Sequence, residues 1–382
     1  MFAVTSLAGA ACSGSSTTSG TGAPSGPSTS DQTRMNQIQA IGTHNSYHIA
    51  PEAAFFTALS SAFEALGSVA SDFGDVQSLA YTAAPLDEQL DGGVRALELD
   101  LYADPNGDLF SHPAGPTFLQ VEGVTIPHGL DQPGFKVLHI PDIDFESRCP
   151  TFVGCLQQIR DWSDAHPAHV PIAIQLELKT DGLPPPLDVT KPLPYDAARL
   201  DELDAEIRSV FSQEHLVTPD LVRGTSPTLR EAVKVTGWPE LADVRGRVWF
   251  YLDNGGEIRD TYLKGHPSLK GRVAFTSTGR DQPDGAVLVI NDPDDGVQAA
   301  IRDGYIVRTR ADSDPAVVAK DATAAAADRD AALATGAQIV STDYPPVTPA
   351  SNGYRVGVGP GAQVRCNPIE RSATCQRPSL ER

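Results

Sequence analysis

The sequence has 382 residues, with 29 Lys and Arg against 49 Asp and Glu and a formal net charge of −20 at pH 7. Hydrophobic residues make up 40% of the chain, which is enough to bury a core and excludes intrinsic disorder for most of it. The acidic balance argues against nucleic-acid binding and against diffuse adsorption to an anionic membrane, since both need a basic face. No apolar run is long enough to cross a bilayer.

The composition of the N-terminal part of the chain predicts a targeting segment followed by a flexible tether. Residues 1–12 are small and apolar and end at Cys12, and residues 13–33 are rich in Ser, Thr, Gly and Pro. This arrangement resembles a bacterial lipoprotein signal, with Cys12 as the lipid acceptor. No Lys or Arg precedes the apolar stretch, so an ordinary secretion signal is the alternative. Both alternatives predict an extracytoplasmic protein, either secreted or anchored to a membrane as a lipoprotein.

The cysteines agree with export. Apart from Cys12, four remain in two close pairs, Cys149 with Cys155 and Cys366 with Cys375. An even set in an exported chain predicts disulfides, and local pairing joins each pair. A metal site is the alternative, but neither pair has the spacing of zinc ligands.

Short apolar strands alternate with helical patterns along the rest of the chain. The predicted strands are Gln37–Ile41, Val94–Leu101, Lys136–Ile140, Ile172–Leu178, Val248–Leu252, Val287–Ile290, Tyr305–Val307 and Gln338–Val340. Apolar residues at helical spacing predict helices at 55–66 and 200–211. Residues 316–334 are rich in Ala, a strong helix former, and also predict a helix.

Eight strands that alternate with helices predict a parallel sheet and favour a (β/α)8 TIM-like barrel of the α/β class. An open doubly wound sheet is the alternative, but no strand leads into a Gly-rich phosphate loop. We expect a single barrel domain at 34–348, with inserted loops at 109–134 and 181–194, and a C-terminal extension at 349–382.

Two predicted strands carry carboxylates between their apolar residues. Alternate residues of a strand share a face, so Glu98 and Asp100 lie opposite the leucines of the second strand, and Glu177 shares a face with Lys179 in the fourth. In a barrel these faces meet the lumen, where neighbouring carboxylates repel each other unless a cation compensates them. The alternatives are an edge strand with a solvated acidic face and a structural ion pair between Glu177 and Lys179.

The first and third strands add histidines at the same rim. His44 and Asn45 directly follow the first strand, and His139 lies near the end of the third. Histidine titrates near neutral pH and can act as a general acid or base. The carboxylates together with the amide oxygen of Asn45 form an all-oxygen ligand set, which suits Ca²⁺, or less well Mg²⁺, rather than Zn²⁺.

These motifs, in this order on successive strands, resemble the catalytic half of phosphoinositide-specific phospholipase C. The residues that carry the resemblance are Ile41-Gly42-Thr43-His44-Asn45-Ser46-Tyr47, Leu97-Glu98-Leu99-Asp100, Val137-Leu138-His139 and Gln175-Leu176-Glu177. The chain looks closest to the bacterial calcium-dependent branch, and the resemblance covers roughly residues 36–345.

The resemblance implies a role for each matching residue. It implies Ca²⁺ binding by the four oxygen-bearing residues Asn45, Glu98, Asp100 and Glu177. It also implies that His44 stabilises the charge that develops on the phosphoryl oxygens and that His139 protonates the leaving glycerol oxygen. The activity that the resemblance implies is attack on phosphorus by the inositol 2-hydroxyl, whose pKa bound Ca²⁺ would lower, to give diacylglycerol and inositol phosphate.

Three cations are candidates for contacts with an anionic substrate. Lys179, Arg308 and Arg310 lie at strand ends, where they suit a phosphate or inositol ligand, and ion pairing with this acidic protein is their alternative. His112 competes with His139 for the role of second histidine, because it follows Asp100 at about the separation found in the eukaryotic enzymes.

The function also has alternatives. Glycerophosphodiester phosphodiesterases and spider-venom-type phospholipases D belong to the same barrel superfamily and also act on a phosphodiester through a metal and two histidines. A non-catalytic barrel that binds a sugar or lipid is the third alternative. The expected partners are a phospholipid or glycerophosphodiester substrate and a membrane surface, met transiently or through a lipid anchor. We expect no nucleic acid and a monomer.

Overall fold

The computed structural model describes residues 32–67, 75–183, 190–312 and 315–370, together with residues 373, 375, 380 and 381. The predicted targeting segment with Cys12, and the tether up to residue 31, lie outside the described residues.

The described residues form one sheet of ten strands. Their bounds are β1 Ile38–Thr43, β2 Val94–Tyr102, β3 Lys136–Val137, β4 Ile172–Leu178, β5 Val248–Leu252, β6 Ala274–Thr276, β7 Val287–Val289, β8 Ile306–Arg310, β9 Ile339–Thr342 and β10 Val364–Cys366. Eight of them run parallel in the order β6-β5-β4-β2-β1-β9-β8-β7. A single parallel bridge from Ser277 to Val287 joins the two ends of this order. The predicted (β/α)8 barrel is confirmed.

Helices lie between the strands. Their bounds are α1 Ala53–Leu66, α2 Leu86–Asp91, α3 Gly115–Phe118, α4 Phe152–Ala165, α5 Ala197–Val210, α6 Pro219–Arg223, α7 Leu229–Glu231, α8 Leu241–Val244, α9 Gly256–Leu263, α10 Asp295–Arg302, α11 Pro315–Lys320 and α12 Ala322–Ala334. Side-chain caps begin several of them: Thr151 accepts from Gly154 N before α4, and Asp196 accepts from Arg199 N before α5. Within the described residues, no helix has the length and apolar character needed to traverse a bilayer.

The structure corrects one predicted strand and adds one that was not predicted. The segment predicted as the third barrel strand, Lys136–Ile140, is strand only at its first two residues, which pair antiparallel with β2. The eighth barrel strand is instead β6, which the sequence prediction missed. It has three residues, too few for an apolar pattern to stand out from its surroundings.

The structure also divides one predicted helix. Residues 316–334 belong to two helices, because the Asp321 side chain accepts from Thr323 N and Ala324 N and so begins α12 as an N-cap.

The alternation within β2 places its two faces as predicted. Leu97, Leu99 and Leu101 belong to the main hydrophobic core, while Glu98 and Asp100 alternate with them on the other face. All nine residues of β2 are buried, so the strand is not an edge with a solvated acidic face. Burying an apolar side chain of this size contributes roughly 1.5–3 kcal/mol, which is ample to hold the strand while its other face carries charge.

The C-terminal extension is tied to the barrel. Strand β10 pairs antiparallel with β1, in register from Ile38 with Cys366. Leu380 is buried, and the Glu381 carboxylate accepts from Arg95 Nε at 2.7 Å. Both predicted disulfides, Cys149–Cys155 and Cys366–Cys375, are present.

Candidate active site and metal centre

The turn after β1 is held rigidly beside β2. Ser46 N donates to the carbonyl oxygen of Glu98 at 3.0 Å, and Glu98 N donates to Ser46 Oγ at 2.8 Å. The buried Gln89 amide donates to Ser46 O at 2.7 Å. Asn45 has a φ of 43°, in the left-handed region that asparagine tolerates better than most residues. This turn fixes His44 and Asn45 next to the first carboxylate of β2.

Three carboxylates meet at the carboxyl end of the barrel. The parallel register pairs Asp100 of β2 with Glu177 of β4, and Glu98 lies two residues before Asp100 on the same face. One oxygen of each of the three lies within 4.8 Å of an oxygen of the others. Glu98 and Asp100 are buried, while the Glu177 side chain is 34% exposed.

The electrostatics of this cluster favour a bound cation. Burial, with the nearby charges of Glu177 and Glu98, raises the pKa of Asp100 to about 6, although Lys179 acts in the opposite direction. Neither oxygen of Asp100, nor Oδ1 of the buried Asn45, has a hydrogen-bond partner among the described residues. Unsatisfied carboxylate and amide oxygens are the hard donors that Ca²⁺ binds, so the predicted set of Asn45, Glu98, Asp100 and Glu177 fits that ion.

His44 is hydrogen-bonded to one carboxylate and lies near a second. Its Nδ1 lies 2.8 Å from Asp343 Oδ1, and its Nε2 lies 3.9 Å from Glu98 Oε1. Burial lowers the pKa of His44, but the two carboxylates outweigh it, so this pKa ends above its ordinary value. Arg310 donates to the other oxygen of Asp343 at 2.9 Å.

The pairing of Asp343 with His44 is a contact that the sequence analysis did not predict. Burial raises the pKa of its carboxyl, but the charge of His44 and the hydrogen bond to it lower the pKa below the ordinary value. The available sequence signal was its position directly after β9, at the same rim as the other site residues.

A second histidine lies at the rim beyond the short β3. His139 is 22% exposed at its side chain, and its Nδ1 lies 2.7 Å from Oδ2 of the fully buried Asp144. The same Oδ2 lies 2.8 Å from Nε2 of His48. Burial raises the pKa of Asp144, but the hydrogen bonds and charges of both histidines reverse this, and the pKa ends below its ordinary value.

Two clusters of side chains among the described residues could hold a metal ion, and they differ in their donor atoms. His48, His139 and Asp144 also lie within ligand distance of one another, but two imidazoles and one carboxylate suit Zn²⁺ better than Ca²⁺. Their separations of 2.7 and 2.8 Å are those of hydrogen bonds between the groups themselves. The all-oxygen cluster is therefore the candidate calcium centre.

The three predicted substrate cations are all engaged by carboxylates of the site. Arg308 is buried and donates to Glu98 Oε2 at 2.8 Å. Lys179 Nζ lies 3.0 Å from Glu177 Oε1 and 3.5 Å from Asp100 Oδ2. Lys179 and the Arg310–Asp343 pair remain partly exposed, at 22% and about an eighth of their side-chain areas.

His112 lies apart from these groups. It is exposed and lines a surface depression with Pro116, Phe118 and Ile126. Of the two histidines considered for the second position, the structure gives His139 a carboxylate partner and a place at the barrel mouth.

Fold and site together give a parallel (β/α)8 barrel with an all-oxygen cluster suited to a hard cation and two carboxylate-paired histidines at its mouth. A family model described as "Phosphoinositide phospholipase C, Ca2+-dependent" matches residues 33–368, and the chain belongs to this family. It is therefore a calcium-dependent phosphodiesterase that cleaves phosphatidylinositol-type lipids to diacylglycerol and inositol phosphate. The glycerophosphodiesterase, phospholipase D and non-catalytic alternatives are not favoured.

Solved structures agree in fold. The Ca²⁺-dependent phosphatidylinositol-specific phospholipase C of Streptomyces antibioticus is 20% identical, with a TM-score of 0.52 over 83% of this chain and 96% of that one. The calcium-dependent enzyme of a Pseudomonas species is 18% identical, with a TM-score of 0.51 over 88% of this chain and 96% of that one. Comparison with curated proteins found no match.

Proposed function

We propose that the reaction is divided between the two histidine–carboxylate pairs at the barrel mouth. The observation that carries this proposal is the pair of dyads, His44 with Asp343 at 2.8 Å and His139 with Asp144 at 2.7 Å. Each dyad orients one ring and leaves its other nitrogen, Nε2, for the substrate.

The bond changes assign one task to each group. The inositol 2-hydroxyl oxygen attacks phosphorus, and the bond from phosphorus to the glycerol oxygen breaks. The hydroxyl proton passes to a carboxylate of the cluster, of which Glu177 is the most exposed. His139 donates a proton to the departing glycerol oxygen, and diacylglycerol leaves.

His44 and the cations stabilise the phosphoryl group. His44 has a pKa above its ordinary value, so its protonated form is favoured, and a cationic ring suits the negative charge that develops on the phosphoryl oxygens. Asn45, Glu98, Asp100 and Glu177 would hold the calcium ion, which would supply Lewis-acid activation of the hydroxyl and the phosphate. Lys179 and Arg310, which keep part of their surface exposed, are the substrate-facing cations. Arg308, buried against Glu98, acts through that carboxylate.

A head-group release assay tests this proposal. Vesicles containing phosphatidylinositol, and glycerophosphoinositol in solution, are offered with calcium or with excess chelator, and ³¹P NMR identifies the products. We expect calcium-dependent inositol phosphate together with diacylglycerol, and strong loss of both in His44→Ala and His139→Ala. Release of glycerol phosphate, or turnover of the deacylated substrate alone, would contradict the proposal.

We also propose that the protein works outside the cytoplasm, secreted or anchored through Cys12. The two disulfides support export, because such bonds persist in oxidising compartments. Expression of the full chain with and without Cys12→Ser, followed by fractionation and metabolic labelling with a fatty-acid analogue, tests the anchor. Label that persists in Cys12→Ser would exclude this cysteine as the acceptor.

A further inference from the structure

The Asp144 carboxylate is shared by two histidines through a single oxygen atom. Oδ2 lies 2.7 Å from His139 Nδ1 and 2.8 Å from His48 Nε2, and the two imidazole rings meet edge to face at 5.7 Å between centroids. Both His48 and Asp144 have fully buried side chains. The other oxygen, Oδ1, is buried without a hydrogen-bond partner among the described residues. Among the described residues, His48 is the second side chain, beside His139 itself, within hydrogen-bond distance of this carboxylate.

His48 is itself held on every side. Its Nδ1 lies 3.0 Å from the carbonyl oxygen of Tyr81, and its ring stacks on the Tyr81 ring at 4.1 Å with an interplanar angle of 16°. Its backbone N donates to the carbonyl oxygen of Asn45 at 3.0 Å. Both ring nitrogens face oxygen atoms, so the ring is oriented to donate and its Nε2 is directed at Asp144.

His139 and Asp144 lie in a loop beyond the end of β3, where Tyr102 OH of β2 donates to the carbonyl oxygen of His139 at 3.1 Å. Strand β3 ends at Val137, two residues before His139, so the histidine is not held by the barrel ladder. The loop folds on itself through Asp144 N to Ile140 O at 2.9 Å, and it meets the segment after β1 through a bridge between His48 and Ser147. His48 therefore links the turn that carries His44 to the loop that carries His139.

We propose that His48 is a positioning residue for proton donation by His139. It holds Oδ2 of Asp144 against His139 Nδ1, which keeps Nε2 of His139 directed at the leaving glycerol oxygen. This inference rests on the proposed role of His139 and adds His48 as the residue through which that role is maintained. Without the His48 donor, the Asp144 carboxylate rotates and His139 loses its orienting partner. Proton donation to the leaving group then slows, while the affinity for substrate is unchanged.

The choice of leaving group distinguishes a positioning role of His48 from a purely structural one. Glycerol leaves as a poor alkoxide and needs the proton, whereas a phenol-type leaving group departs without one. The experiment compares phosphatidylinositol with an aryl ester of inositol 1-phosphate in wild type, His48→Leu and His48→Gln. Leucine fills similar space without a donor, and the glutamine amide keeps an N–H near the position of Nε2.

For His48→Leu we expect kcat on phosphatidylinositol to fall about 100-fold with KM changed less than about 2-fold, and kcat on the aryl ester to fall less than about 3-fold. His48→Gln recovers most of the loss. Addition of His48→Leu to His139→Ala costs nothing further, because the two residues act through the same proton. Equal losses on both substrates, or additive losses in the double variant, would overturn the proposal.

A matched control separates positioning from loss of any buried histidine. His169 is also buried and hydrogen-bonded, to Ser163 and Val170, and it lies outside the site. His169→Leu should lower stability while it leaves the ratio of the two kcat values unchanged. The proposed function fails separately: it is wrong if His139→Ala itself turns over both substrates like wild type.

Discussion

Asp343 Oδ1 lies 2.8 Å from His44 Nδ1, although 299 positions separate the two residues in the chain. They meet because β1 and β9, the first and last strands of the barrel, are neighbours in register from Ala40 with Ile339 to Thr43 with Thr342. The last strand thus supplies the orienting carboxylate for a histidine that follows the first. The contact depends on closure of the barrel.

Replacement of Asp343 should disable His44 without removing it. In Asp343→Asn the charge that favours protonated His44 is lost, and the amide can fix the wrong tautomer. We expect kcat to fall roughly 10²–10³-fold. Steady-state kinetics on phosphatidylinositol vesicles measure this, with the exposed Asp330→Asn as a control that keeps wild-type activity. A loss below about 3-fold would show that His44 works without Asp343.

Replacement of Asp100 should stabilise the metal-free protein and abolish calcium binding. Burial raises the pKa of Asp100 to about 6, so its charged form destabilises the fold at neutral pH. In chelator we expect Asp100→Asn to unfold at a higher urea concentration than wild type. Its free energy of unfolding should be higher by about 3 kcal/mol, since the pKa of Asp100 rises by about two units and one unit corresponds to about 1.4 kcal/mol. Calorimetric titration of Ca²⁺ should show no binding to this variant, while wild type binds one ion. Calcium binding of wild-type affinity in Asp100→Asn would remove Asp100 from the ligand set.

His169 should make the protein sensitive to mild acid. Burial lowers the pKa of this imidazole to about 4, whereas in the unfolded chain it lies near 6.5. Between these values the unfolded state binds more protons, so stability falls as pH drops from about 6.5 to about 4. At pH 5 the loss from this group is about 2 kcal/mol.

The variant His169→Gln keeps hydrogen-bonding capacity without the titration. Its loss of stability between pH 7 and pH 5 should be smaller than that of wild type by the same amount, as measured by urea unfolding at both pH values. Equal losses in the two proteins would mean that His169 is protonated in the fold.

The two disulfides should differ in their effect on activity. Each closes a loop of similar length, with sequence separations of 6 and 9, so removal of either should cost about 2–3 kcal/mol in a chain-entropy model. Cys149 directly follows the segment that carries His139 and Asp144, and Cys155 lies in α4, whereas Cys366 lies in β10. We therefore expect a clear loss of kcat in the Cys149→Ala/Cys155→Ala protein and a small one in Cys366→Ala/Cys375→Ala. Assays below the unfolding range of both variants make the comparison.

The sequence by itself determined the fold class and the carboxylate strands. In β2 and β4 an alternating pattern separates leucine and isoleucine from Glu98, Asp100 and Glu177, and a period of two dictates which residues share a face in any strand. The rim position of His44 and Asn45 followed in the same way, because both come directly after an apolar strand. Local spacing likewise predicted both disulfides.

Tertiary structure decided what local pattern does not encode. Strand β6 has three residues and Lys136–Val137 pairs antiparallel, so neither could be assigned from periodicity. The pairing of Asp343 with His44 depends on the contact between the first and last barrel strands. The pairing of Asp144 with His139 and His48 depends on how the loop after β3 folds. Hydrogen bonds act over about 3 Å, whereas a sequence pattern reports which face a residue occupies and leaves its partner across the fold unspecified.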